Sequence, residues 1–151
     1  MNSRFARGMF GLVVLALGLW AASTIAGPSS TDAKAVPKVV RDGMNQFKNG
    51  AAAGLRALLK GGAAPDETDH PAATATLTAA EKAYGSYEGF DVVQIEDLSP
   101  RSRVAYLAIN YGKGAAFAKF VLYHGRAGWV VSRIQAAADP DEVLPRRWAR
   151  P

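Results

Sequence analysis

Four apolar-rich runs between Tyr87 and Ala136, each closed by a glycine or proline turn, dominate the pattern of this chain. Phe90–Leu98 mixes alternation with an apolar pair at Val92-Val93. Arg103–Tyr111, Ala115–His124 and Trp129–Gln135 follow, separated by Ser99-Pro100-Arg101-Ser102, Gly112-Lys113-Gly114 and Gly125-Arg-Ala-Gly128. Turns of that chemistry join sequential antiparallel strands, so the pattern predicts a meander of about four strands. In the third run, Ala116, Ala118, Phe120 and Leu122 share one face, and Phe117, Lys119, Val121 and Tyr123 share the other. The first set suits a helix-covered core. The second is more apolar than a solvent-facing sheet needs, which predicts an interface at Phe117, Val121 and Tyr123, with a second copy of the chain as the expected cover and a C-terminal helix lying over it as the alternative.

Helical spacing precedes the strands. Val36, Val39, Val40, Met44 and Phe47 form one stripe, with Pro37 suited to a first turn. After Asn49-Gly50, the set Ala52, Leu55, Leu58 and Leu59 runs to Gly61-Gly62, a stop signal. Ala63–Ala73 reads as a loop, and Leu77–Tyr84 as a shorter helix ended by Gly85. Beyond the strands, Asp139 as cap, Pro140 in the first position and the acids Asp141 and Glu142 predict a short C-terminal helix. Helices followed by a run of strands make an α+β domain over residues 36–145, with a linker at 27–35 and a basic tail at 146–151.

The first 26 residues change the compartment. Arg4 and Arg7 precede an apolar run from Phe10 to Ala22 that ends in small residues, the layout of a cleaved signal peptide. Export to the periplasm or beyond is the expectation; the alternative is a retained inner-membrane anchor, since Met9–Ala26 approaches the roughly 20 residues that span a bilayer. Composition removes several chemistries. No cysteine is present, so disulfides, thiolate metal sites and thiol catalysis are excluded. The formal charge of +5 is scattered, apart from Arg146, Arg147 and Arg150, and does not make the basic aromatic face of a nucleic-acid binder. An apolar fraction of 49% supports a real core.

Candidate chemistry is thin. Asp66-Glu67-Thr68-Asp69-His70 lacks the spacing of a calcium loop. Gly112-Lys113-Gly114 lacks the upstream glycine and following helix of a phosphate loop, and no nucleophile elbow is present. No cofactor or metal site is therefore expected.

From Tyr84 to Pro145 the residues Tyr84-Gly85, Tyr87-Glu88, Tyr111-Gly112, Phe120-Val121-Leu122-Tyr123, Gly128-Trp129, Asp139-Pro140 and Leu144-Pro145 occur in order. In this the chain resembles the nuclear transport factor 2-like, or cystatin-like, α+β superfamily, in particular a secreted bacterial subfamily without an assigned activity. The resemblance implies a curved sheet wrapped as a cone over the helices, with a pocket between them. Tyr84, Tyr87, Tyr106, Phe120 and Trp129 are the residues expected to line it. A non-catalytic domain that binds a small apolar ligand or a protein partner, through the pocket or the sheet face, is the leading expectation. The superfamily also holds ketosteroid isomerases and polyketide cyclases, so an isomerase- or dehydratase-like enzyme is the alternative. It would need Asp91, Glu96, Asp97 or His124 buried against a tyrosine. A structural envelope module is the third reading.

Overall fold

The computed structural model describes residues 35–146. The expected signal segment, the expected linker before Ala35 and the tail from Arg147 lie outside the described residues. Three helices come first: α1 (Lys38–Gln46), α2 (Ala51–Leu59) and α3 (Pro71–Tyr84). Four strands follow as β1 (Tyr87–Ser99), β2 (Ser102–Tyr111), β3 (Gly114–Gly125) and β4 (Gly128–Ala137). They form one antiparallel meander in the order β1-β2-β3-β4. The predicted α+β class and strand order hold.

The helices bury their stripes on one face of the sheet. Val40 and Met44 of α1, Leu55, Leu58 and Leu59 of α2, and Leu77 of α3 meet Leu107 and Ile109 of β2, and Ala118, Phe120 and Leu122 of β3. All eleven are fully buried. Two glycines set the helix spacing. A Cβ on Gly43 would stand 2.5 Å from the Leu58 side chain, and one on Gly54 would stand 2.0 Å from the Phe47 ring. At these two positions the helix backbone packs directly against its neighbour, with no room for a side chain.

Three elements differ from expectation. α3 begins at Pro71 rather than near Leu77. Proline has no N–H to satisfy at a first helical position, and Ala72, Ala73 and Ala75 are strong helix formers, so the loop reading of this proline gives way. β1 begins at Tyr87 and carries register shifts at Tyr87/Gly89, Val92/Gln94 and Asp97/Ser99. The Val92-Val93 pair is thus a bulge, which leaves Val92 inside and Gln94 on the opposite face. The C-terminal helix is a single 3-10 turn, Pro140–Glu142, capped as predicted by the Asp139 carboxylate, which accepts the Asp141 N–H at 2.9 Å. Pro145 explains the brevity, because the residue before a proline is pushed out of helical geometry.

One charged group ties the start of the described chain to the sheet. Arg103 donates to both Asp97 oxygens (2.5 and 3.2 Å) and to the Ala35 carbonyl (3.2 Å). Its guanidinium stacks 5.0 Å over the Trp129 ring. Asp97 is about half-exposed, so solvent screens the ion pair. Arg103→Ala is expected to cost about 1–2 kcal/mol, mostly through the carbonyl bond and the lost stacking. Urea unfolding measures it; an unchanged midpoint would contradict this role.

Candidate interaction face

The side of the sheet away from the helices is built in cross-strand rows. One row runs Gln94–Tyr106–Lys119–Gln135, the next Glu96–Val104–Val121–Arg133, and a third Asp91–Ala108–Phe117–Ala137. None of these twelve residues belongs to the cluster that joins helices to sheet. Among the described residues no helix covers this face. Its centre is apolar: Val104, Tyr106, Ala108, Phe117 and Val121 lie on the two middle strands. Its charges separate by strand, with acids Asp91 and Glu96 on β1 and cations Lys119 and Arg133 on β3 and β4.

Side chains on this face hold one another in place. Gln94, only 1% exposed, donates through Nε2 to Glu96. Lys119 Nζ lies 5.9 Å over the Tyr106 ring, and burial raises the Tyr106 hydroxyl above its ordinary value. The Asp91 carboxylate accepts from Asn110 Nδ2 at 2.7 Å. Phe117 and Val121 are half-buried, and Tyr123 is 43% exposed with Arg101 stacked 5.9 Å from its ring. The predicted interface residues Phe117, Val121 and Tyr123 therefore occupy one face. Tyr106 joins them there instead of lining a space under the helices. Its neighbours Ala105 and Leu107 take the inner positions, so Tyr106 must point the other way.

The other residues assigned to a pocket separate into three places. Tyr84 and Tyr87 meet at one end of the sheet, where each ring lies 6.4 Å from that of Tyr111 and Phe47 stands 5.7 Å from Tyr87. Phe120 is fully buried mid-strand. Trp129 sits at the opposite end, edge-on to His124 at 5.1 Å. The Tyr111 hydroxyl is buried with no hydrogen-bond partner. Burial, followed by the nearby Glu81 charge and Tyr87, pushes Tyr111 up to about 12; burial alone does the same for Tyr87. Both hydroxyls are neutral in the folded protein, whereas an unfolded tyrosine ionises near 10. Their contribution to stability is complete below pH 10 and falls as pH rises from about 10 to 12. An alkaline titration followed by tyrosinate absorbance and circular dichroism should therefore show late ionisation accompanied by unfolding. Ionisation of all five tyrosines near pH 10 with the fold intact would contradict it.

The four groups proposed for acid–base work lie outside the interior. Asp91 and His124 are exposed, Asp97 pairs with Arg103, and Glu96 belongs to the outer face. Sequence reasoning missed Glu81. It reaches from α3 to the start of α2, where its Oε2 accepts the Ala51 N–H at 3.0 Å and satisfies a helix-end donor. A cap supplied from 30 residues away leaves no local sequence signal. Asp66 is likewise engaged, accepting from the Thr68 N–H and hydroxyl at 3.0 Å. Among the described residues no three His, Asp or Glu converge as metal ligands, and no helix is long and apolar enough to cross a membrane.

A groove of about 670 Å3 lies between α1 and α2, floored by Val39, Ala53 and Ala57 and rimmed by Lys38, Asp42, Arg56 and Lys60. Three smaller recesses follow the seam of α3 and β4. Of the residues assigned to a pocket, Tyr84 lines one of these recesses; Tyr87, Tyr106, Phe120 and Trp129 line none of the four. In comparisons with known proteins, no family model, no curated sequence and no solved structure matches this chain.

Proposed function

We propose that this chain is an exported, non-catalytic domain of the cystatin-like cone type that acts by protein–protein contact through its sheet face, its first partner being a second copy of itself. Helices confined to one face and a first strand bent by three register shifts support the cone reading. The interior filled by Phe47, Phe120 and the leucines favours a docking role over a small apolar ligand held between helices and sheet. The dispersed acids favour it over isomerase-like chemistry.

The row Glu96–Val104–Val121–Arg133 carries the argument. A two-fold axis parallel to the strands, midway between β2 and β3, sets β1 of one copy over β4 of the other. Glu96 then faces the partner's Arg133, and Val104 faces the partner's Val121. In the adjoining rows Tyr106 meets the partner's Lys119, and small Ala108 meets large Phe117. An isologous interface requires such self-complementarity. Four strands about 4.8 Å apart, with ten residues rising about 3.3 Å each, give a footprint of roughly 600 Å2 per copy, an upper bound because Gln94, Val104 and Tyr106 are already buried within the single chain. That is below the ~800 Å2 of a standard interface, so the dimer should dissociate in the micromolar range. Light scattering over a dilution series around micromolar concentration tests this. A concentration-dependent dimer is expected; a monomer throughout sinks the proposal.

A further inference from the structure

The two edges of the sheet are not equivalent. β1 is broken by three register shifts and bears Glu88, Asp91, Glu96 and Asp97, the devices that stop an edge from pairing. β4 has one irregularity, opposite Val121/Leu122, and then runs in register from Arg133 to Ala137. Among the described residues the outward backbone groups of β4 have no backbone partner.

A continuous groove follows this open edge. The recess against the start of α3 (Asp69–Ala73) shares Ala72, Ala73, Arg133 and Ile134 with the next, which shares Ala136, Ala137 and Glu142 with the last, against Ala79, Ala80 and Ala83. The three hold about 410, 340 and 350 Å3. Odd and even positions of β4 both line them, as expected of a strand's edge and not of one of its faces. The seven residues from Ser132 to Ala138 extend about 23 Å, room for a strand of about six residues. The helix wall is mostly alanine, and Asp69, Glu142 and Arg133 all lie along the groove, so no single charge sign is selected.

We propose that the α3–β4 seam binds an extended, uncharged peptide segment of another protein, which adds as a fifth strand to β4 and points alternate small apolar side chains at α3. Main-chain pairing gives the affinity and the alanine wall selects small residues. A second copy of this chain fits less well. Its own α3 would arrive beside this one, and packed helices need about 8–10 Å where paired strands sit about 4.8 Å apart.

A displayed library of random ten-residue peptides, selected on the purified protein, supplies the test. Enriched peptides should alternate β-branched and small residues and shift the backbone amides of Ser132–Ala138. They should lose at least tenfold in affinity when alternate amides are N-methylated. Ala83→Trp, an exposed substitution that fills the last of the three recesses, should weaken their binding at least tenfold without changing the melting temperature. The proposal is overturned if nothing is enriched, if the Trp variant selects the same peptides, or if N-methylation is harmless. It is also overturned if Ala83→Trp dissolves a dimer, which would make the second copy the occupant.

Discussion

Gly54→Ala is expected to destabilise the domain by about 3 kcal/mol, although alanine is the better helix former by about 1 kcal/mol. The added methyl would stand 2.0 and 2.3 Å from two ring carbons of Phe47, which is 1% exposed and packed against Tyr87. The ring has no free volume to enter, so helix and ring must separate. For a domain of this size that corresponds to a melting temperature lower by roughly 12–24 °C. Phe47→Leu in the same chain should return part of the loss, because it removes Cε2 and its shorter, branched side chain can turn its δ carbons away from the new methyl. A Gly54→Ala variant as stable as the parent would mean that α2 does not pack on Phe47 as described.

The second large effect concerns association. Glu96→Arg or Arg133→Glu places like charges face to face twice in each two-fold dimer. Two opposed pairs, each losing attraction and gaining repulsion at a partly solvated rim, should cost roughly 2–3 kcal/mol, or about 30–150-fold in dissociation constant. Glu96 is half-buried and oriented by Gln94, which keeps it from swinging away from a repelling partner. Neither substitution touches the helix–sheet core; Arg133→Glu should leave the monomer's melting temperature unchanged, whereas Glu96→Arg also takes the acceptor from the buried Gln94 amide and should lower it.

What could be read from the sequence followed from local chemistry. The strand order came from glycine and proline turns, and the inner face of β3 from strict alternation; Ala116, Ala118, Phe120 and Leu122 are all fully buried. Asp139 was legible as a cap because capping acts within a few residues. Tyr106 was misplaced because Val104–Ile109 is apolar on both faces, and only pairing with Lys119 on β3 decides which side it takes. Pro71 was ambiguous because proline both ends loops and starts helices. Glu81, the β4 edge groove and the row joining Glu96 to Arg133 bring together residues far apart in the chain, so no local pattern announces them.

The most direct test is the pair of charge reversals made together. Glu96→Arg and Arg133→Glu in one chain should bring back most of the association that either removes alone, as measured by sedimentation over the same concentrations. If the double variant stays as monomeric as the single ones, or the single ones dimerise like the parent, the two-fold pairing of the sheet faces is wrong.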